Sequence, residues 1–406
     1  MEVETQIKEV VVAEAEAPVE EKVLIREITL RNILSFGPEA EPIPLRGLNV
    51  LIGPNGSGKS NFVEALALLR AISNEDKMGA VIRRGGGGGE WIWKGSDGAR
   101  AHLEVVTHKR KTKGFFRHRL ELEKILGLHV IGEIIAVNGD DSGFFYCHEK
   151  DSREIKGVGK VEPKKLSSSN FAFGSSILSQ MRDPLNYPEL SDLAAAYENI
   201  RIYREWSFGR NSVFREPQKA DMRNDRLEED FSNLGLFLNK LRRNPTAKKT
   251  ILAALSDLYE GFDDFDVIVE GGTVQVFFTE GDFSIPATRL SDGTLRYLCL
   301  LAILCDPNPP PLICIEEPEL GLHPDILHKL ADLLIEASKR TQLIVTTHSD
   351  YLVDAMTNRP EAIVICEKHE GQTEMKRLDE KGMAIWLEKY RLGELWTSGE
   401  LGGTRW

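Results

Sequence analysis

Along the 406 residues, short apolar runs alternate with stretches in which apolar residues recur every three or four positions. Leu48-Asn49-Val50-Leu51-Ile52 has the length and composition of a buried strand. After an eight-residue break, Phe62, Val63, Leu66 and Leu69 share one face of a predicted helix. The pattern returns further along the chain. Residues 312–315 read as an apolar strand. A helix is predicted from Pro324, a residue suited to the first helical position, to Arg340, with Ile326, Leu330, Leu333, Leu334 and Ala337 on one face. Residues 343–346 form the next strand, and strand–helix–strand in this order is a βαβ crossover of a parallel sheet. Between these α/β regions, residues 91–146 break into short β-like runs such as 101–106 and 131–137. Residues 193–260 read as mainly helical around an irregular, arginine-rich stretch at 201–226.

The break after the first strand carries chemistry. Residues 53–60 read GPNGSGKS, a phosphate-binding P-loop set between strand and helix. Gly53, Gly56 and Gly58 let successive backbone N–H groups turn inward around phosphates, with Asn55 and Ser57 between them. Lys59 adds a point charge at the β/γ oxygens, and the Ser60 hydroxyl can ligand Mg²⁺. Asn61 follows on the helix, whose positive end faces the same anion. The chain is therefore expected to bind a nucleoside triphosphate. A second glycine run, at 85–89 after Arg83-Arg84, lacks a following Lys-Ser and reads as a surface loop.

Composition narrows the class. Hydrophobic residues make up 41% and charged residues 28%, as in a globular protein with a sizeable core. No apolar run approaches the ~20 residues of a bilayer span. Residues 1–22 hold seven Glu and two Lys without a sustained apolar block, which predicts a disordered acidic tail, not a signal peptide. Five cysteines without CxxC spacing, four of them in apolar stretches, fit a reducing, cytoplasmic compartment, and Cys147-His148 lacks the partners of a zinc site. The net charge of −12 confines any nucleic-acid contact to a local patch. The candidate DNA contact is a predicted hairpin tip containing Lys109, Arg110, Lys111 and Lys113, where Phe115-Phe116 could stack on bases or buttress the turn.

Glu316-Glu317-Pro318 closes the 312–315 strand. An apolar strand ending in paired acids downstream of a P-loop is a Walker B arrangement. Glu316 is assigned to the metal, although Asp is usual there, and Glu317 to general base. Residues 346–349 read Thr-Thr-His-Ser at the end of the next strand, which can place His348 beside the γ-phosphate to hold the attacking water. Ser291-Asp292-Gly293 precedes a strongly apolar helix. Ser291 suits its N-cap, and Gly293 permits close approach to an anion.

Taken in order, these motifs resemble the ABC-type ATPase heads, and more closely the SMC, RecF and OLD-nuclease branch. Leu30-Arg31-Asn32-Ile33-Leu34-Ser35-Phe36, Glu316-Glu317-Pro318-Glu319 and Gly321-Leu322-His323-Pro324 carry the closer likeness, together with the 238 positions between Gly53 and Ser291. The resemblance covers about residues 23–370. It implies ATP with Mg²⁺ as cofactors, Asn32 at the nucleotide, Gln180 as a Q-loop ligand to the metal, and Ser291, Asp292 and Gly293 acting in trans on a partner protomer's ATP. It also implies a homodimer and a DNA-linked role.

The expected organisation is an acidic tail (1–22) and an N-terminal ATPase lobe with a β-rich subdomain (23–180). A compact, mainly helical insertion (181–288), a C-terminal lobe (289–370) and a tail (371–406) follow. Only 58 residues follow His348, too few for the Toprim nuclease of full-length OLD proteins, and no heptad pattern supports a long coiled coil. An ATPase head working with a separate nuclease-like effector is the expectation, in repair or phage defence. Two alternatives stand beside it: a transporter-associated ABC subunit, and a nucleotide-gated scaffold that hydrolyses slowly.

Overall fold

A computed structural model describes residues 22–403 except 96–97, 99, 109–113, 138–139, 150–151, 157–163, 168–170, 173, 207–208, 210–211 and 214. The acidic tail, apart from Lys22, and the cations Lys109, Arg110, Lys111 and Lys113 lie outside the described residues. The chain begins with β1 (Ile25–Arg31), β2 (Ile43–Pro44), β3 (Leu48–Ile52), α1 (Lys59–Ala71) and α2 (Glu75–Arg84). It continues through β4 (Arg100–His108), β5 (Phe115–Ile125), β6 (Gly127–Val137), β7 (Asp140–Glu149), β8 (Ser152–Ile155) and β9 (Lys164–Lys165). Then come α3 (Ile177–Gln180), α4 (Pro188–Glu198), β10 (Arg201–Tyr203), β11 (Gln218–Lys219), α5 (Leu234–Leu241) and α6 (Pro245–Leu258). Next are β12 (Asp264–Glu270), β13 (Thr273–Glu280), β14 (Phe283–Pro286), α7 (Asp292–Leu304), β15 (Leu312–Glu316), α8 (Leu327–Ser338) and β16 (Gln342–Thr346). The described chain closes with α9 (Asp350–Asp354), β17 (Ile363–His369), β18 (Gln372–Arg377), α10 (Glu380–Leu387) and α11 (Leu392–Thr397).

The central sheet has the order β10-β15-β16-β3-β17-β18, parallel except for β18. Its strands alternate between two cores, as a period of two demands of a sheet covered on both faces. Val50, Ile313, Ile315, Leu343, Val345, Ile363 and Ile365 face a core shared with α5–α9 and α11. Leu51, Leu312, Cys314, Ile344, Val364 and Cys366 face another, shared with α1, α2, α4 and an eight-stranded sheet of order β2-β1-β4-β5-β6-β7-β8-β9. The buried Gln342 joins the layers: its Oε1 accepts the Leu24 and Ile25 N–H groups at 3.1 and 2.8 Å, and its Nε2 donates to Ile25 O at 2.7 Å. Among the described residues, no helix is long and apolar enough to cross a membrane.

Two regions differ from the sequence reading. Residues 181–288 contain α4, α5 and α6, but also the strands β10–β14. Phe265 and Val267, with Val274, Val276 and Phe278, are the inward residues of the β12–β13 pair, and β10 is an edge strand of the central sheet. Residues 371–403, read from the sequence as a C-terminal tail, pack on the ATPase lobe. β18 pairs with β17, and Leu392, Leu395 and Trp396 of α11 are buried. Phe116 belongs to the core and packs against Phe145 at 6.0 Å, so it buttresses the β4–β5 pair and is withdrawn from stacking on bases. Phe115, partly buried beside it, carries the Arg26 guanidinium 5.6 Å from its ring centroid.

Within the second core sits a buried polar network. Glu133 of β6 accepts from Ser176 Oγ at 2.6 Å and from Ile177 N–H at 2.8 Å, and meets His118 Nε2 of β5 at 2.9 Å. His118 Nδ1 lies 3.2 Å from the Tyr197 hydroxyl of α4. All four side chains are buried, and each finds a partner, as buried polar groups must.

Candidate functional site

The P-loop leaves β3 through Gly53, Gly56 and Gly58, with φ of 146°, 82° and 103°. At two of these positions glycine is required by packing as well as by φ. A Cβ on Gly53 would lie 2.1 Å from Cys366 O, and one on Gly58 2.1 Å from Thr373 Oγ1. Asn55 and Gly56 are exposed at the tip, whereas Ser57 is buried, its Oγ without a hydrogen-bond partner. Lys59 Nζ donates to Gly53 O at 2.7 Å and to Pro54 O at 3.1 Å. Burial lowers its pKa from the ordinary value, opposed by the nearby carboxylates of Glu317 and Glu319. α1 has no side-chain cap and no acid in its first turn, where Asn61 is half-buried. Its leading N–H groups are therefore open to an anion.

Glu316 lies across the cleft at the end of β15. Its Oε2 accepts from Ser60 Oγ at 3.2 Å, while the buried Oε1 has no hydrogen-bond partner and lies 3.5 Å from Arg204 Nε. Burial raises the pKa of this carboxyl, opposed by Arg204 and Ser60. The Ser60 hydroxyl and the Glu316 carboxylate are two oxygen donors of the kind that suits a hard divalent cation such as Mg²⁺.

Glu317 sits in the left-handed region at φ 48°, a conformation that costs a residue with a side chain about 1–2 kcal/mol. Its N–H donates to Thr346 O at 3.0 Å, continuing the β15–β16 ladder by one residue. Its carboxylate stands 3.9 Å from His348 Nε2. The His348 N–H donates to Glu319 Oε1 at 2.8 Å, which fixes the turn after β16. Burial, and then the Lys59 charge, lower the His348 pKa below its ordinary value, so the neutral imidazole is the favoured form near neutral pH.

Ser291 caps α7, its Oγ accepting the Thr294 N–H at 3.1 Å. Asp292 accepts from Gly209 N–H at 3.2 Å and pairs with Arg215, which lowers its pKa. A Cβ on Gly293 would lie 2.8 Å from Gly321 O, so the signature packs directly on the loop that follows Glu319. Ser291 and Asp292 are exposed. Gln180 ends α3 with its amide turned inward: Oε1 accepts from Ala172 N–H at 2.6 Å, and Nε2 donates to Ser175 O at 3.2 Å and to Ser176 O at 3.4 Å. None of these bonds reaches Ser60 or Glu316. Asn32 has φ 53°, and its Oδ1 is buried without a hydrogen-bond partner.

Four residues around this cleft escaped the sequence reading. Arg204 approaches Glu316, Trp206 Nε1 donates to Glu316 O at 2.7 Å, and Arg296 donates to Glu317 O at 2.8 Å. Thr373 Oγ1 lies 3.0 Å from Ser57 O and 2.7 Å from Ser35 Oγ, and so links the P-loop to the loop after β1. Arg296 alone carried a signal. It is the one cation of an otherwise apolar helix, and a buried charge needs a partner.

Residues 48–354 match the family described as "AAA domain, putative AbiEii toxin, Type IV TA system". Over 368 residues the chain is 20% identical to the Old nuclease of Escherichia phage P2, a match covering 83% of this chain and 58% of that protein. Among solved structures, an SMC head bound to the C-winged helix domain of ScpA superposes with a TM-score of 0.55 at 16% identity, covering 88% of this chain and 99% of that one. An SMC head from Pyrococcus furiosus, with an extended coiled coil and bound to the C-terminal domain of ScpA, gives a TM-score of 0.54 at 15% identity, with 90% and 99% covered. With P-loop, Walker B acids and fold together, the chain belongs to this AAA-domain family and has the P-loop, ABC-type fold of the SMC ATPase heads.

Proposed function

We propose that the protein is a Mg²⁺-dependent ATP hydrolase whose protomers pair head to tail around ATP and switch conformation in a DNA-linked process. The observation that carries this reading is the convergence of Lys59, Ser60, Glu316, Glu317 and His348 on one cleft, with Ser60 bonded to Glu316 and Glu317 facing His348. In this reading the P-loop N–H groups and Lys59 hold the β/γ phosphates. Ser60 and Glu316 would hold Mg²⁺, which would supply charge neutralisation at those phosphates, and Gln180 would have to turn from its local bonds to join them. Glu317 takes the proton from the attacking water, and the neutral His348 orients that water toward the γ-phosphorus.

The exposure of Ser291 and Asp292 supports a signature that meets a partner's nucleotide. The likeness to the Old nuclease supports a nuclease-coupled role, in repair or phage defence, through a separate nuclease-like effector. The cations Lys109, Arg110, Lys111 and Lys113 remain the candidate DNA contact, whose binding would weaken steeply with salt. A transporter subunit or a slowly hydrolysing scaffold would instead be marked by a membrane-protein partner or by negligible turnover.

The test is turnover and oligomeric state together. Glu317→Gln is expected to cut turnover by about 10²–10⁴-fold while ATP binding persists, and to form an ATP-dependent dimer that Ser291→Arg prevents. Unchanged turnover in Glu317→Gln overturns the assignment of the base. Light scattering that ignores both nucleotide and Ser291→Arg overturns the paired arrangement.

A further inference from the structure

The Walker B turn is held by two side chains that come from outside the motif. Trp206 Nε1 donates to the carbonyl of Glu316 at 2.7 Å, and the Arg296 guanidinium donates to the carbonyl of Glu317 at 2.8 Å. The two holders also brace each other. Arg296 Cζ lies 4.5 Å from the Trp206 ring centroid, and that ring stacks with Phe231 at 5.4 Å. Two consecutive carbonyls are thus fixed by donors that are themselves in contact, around a residue at φ 48°. A left-handed residue with a side chain persists only where its surroundings over-determine it.

We infer that Trp206 and Arg296 are positioning residues that hold the Glu316–Glu317 backbone in the left-handed turn that aims the Glu317 carboxylate. This rests on the reading of Glu317 as the base. Without the two donors, the carbonyls are free to rotate and Glu317 returns toward ordinary backbone space, carrying its carboxylate away from His348. Arg296 sits in the second turn of α7, close behind Ser291, Asp292 and Gly293. The aim of the base is thereby braced by the helix that carries the signature, so the hydrolytic geometry of one site is tied to the element that meets the partner's ATP.

Trp206→Phe removes the N–H donor and keeps a smaller aromatic ring; Arg296→Gln removes the charge; Arg296→Lys keeps a cation able to donate. Trp206→Phe and Arg296→Gln are expected to lower kcat by about 10–100-fold with KM within about twofold, because misaim of a catalytic group acts on the chemical step. Arg296→Lys should recover part of the loss. In a Glu317→Gln background, Arg296→Gln should cause no further fall, because both changes act through one carboxylate. A kcat near wild type in both variants overturns the inference, as does a parallel loss of ATP affinity or an additive loss in the double variant.

Hydrogen exchange provides a readout independent of turnover. The amides of Glu316 and Glu317 should exchange faster in Trp206→Phe and Arg296→Gln, with amides of the P-loop unchanged. Unchanged exchange at Glu316 and Glu317 overturns the clamp even in an enzyme without measurable turnover. Absent wild-type turnover overturns the proposed hydrolase and leaves the exchange result to decide the clamp.

Discussion

The cleft has two walls, and they reach unusual backbone conformations by opposite means. On the P-loop wall, positive φ falls on glycines, so the cradle is encoded by the residues that form it. On the Walker B wall, positive φ falls on Glu317, and the conformation is held by groups outside the motif: the side chains of Trp206 and Arg296 and the backbone of Thr346. A cradle for phosphates needs only bare N–H groups. A wall that must aim a carboxylate cannot use glycine, and so must be held from outside.

The largest expected break in this comparison is Lys59→Ala. Losing a charged donor to the triphosphate should weaken ATP binding about 10–100-fold, measured by isothermal titration, with the Walker B wall unchanged in hydrogen exchange. Glycine exchange should then separate the walls by sign. Gly58→Ala places a Cβ against Thr373 Oγ1 at φ 103° and should lower stability by more than about 1 kcal/mol. Glu317→Gly removes a side chain from left-handed space, so its Tm should be no lower than wild type even though turnover is lost. A lower Tm for Glu317→Gly would mean that Glu317 is unstrained and that the contrast between the walls fails.

The smallest effect is in His348. Its imidazole is held below the ordinary value by burial and then by Lys59, so Lys59→Ala should move its NMR titration upward. The sign for stability follows from linkage. Between the lowered folded value and the unfolded value near about 6.5, the unfolded chain binds more protons. His348 therefore costs stability as pH falls through that window and costs none above it. A titration that does not move in Lys59→Ala would show that Lys59 and His348 do not share an electrostatic environment.

The parts that were legible in the sequence are those encoded locally. β3, α1, β15, α8 and β16 follow from apolar runs and helical periodicity, and 53–60 and 316–317 are contiguous motifs. The helix from Pro324 resolves into a 3-10 turn followed by α8 at Leu327. What escaped is what depends on distant contacts. β10 has only three residues, and its place in the central sheet comes from pairing with β15, more than a hundred positions away. β18 carries Thr373 to the P-loop across the turn from β17, and nothing in Gln372-Thr373-Glu374 announces that contact. Trp206 lies in an arginine-rich stretch whose composition points to solvent, yet it hydrogen-bonds the Walker B backbone.

The network of Glu133, His118, Ser176 and Tyr197 has a mechanical consequence. It pins the start of α3 to the middle strands of the eight-stranded sheet, and those strands to α4, with no water-accessible joint between them. Separating the Gln180 helix from the sheet would leave the Glu133 carboxylate buried without its donors, a cost that ties the placement of α3 to that of β5 and β6.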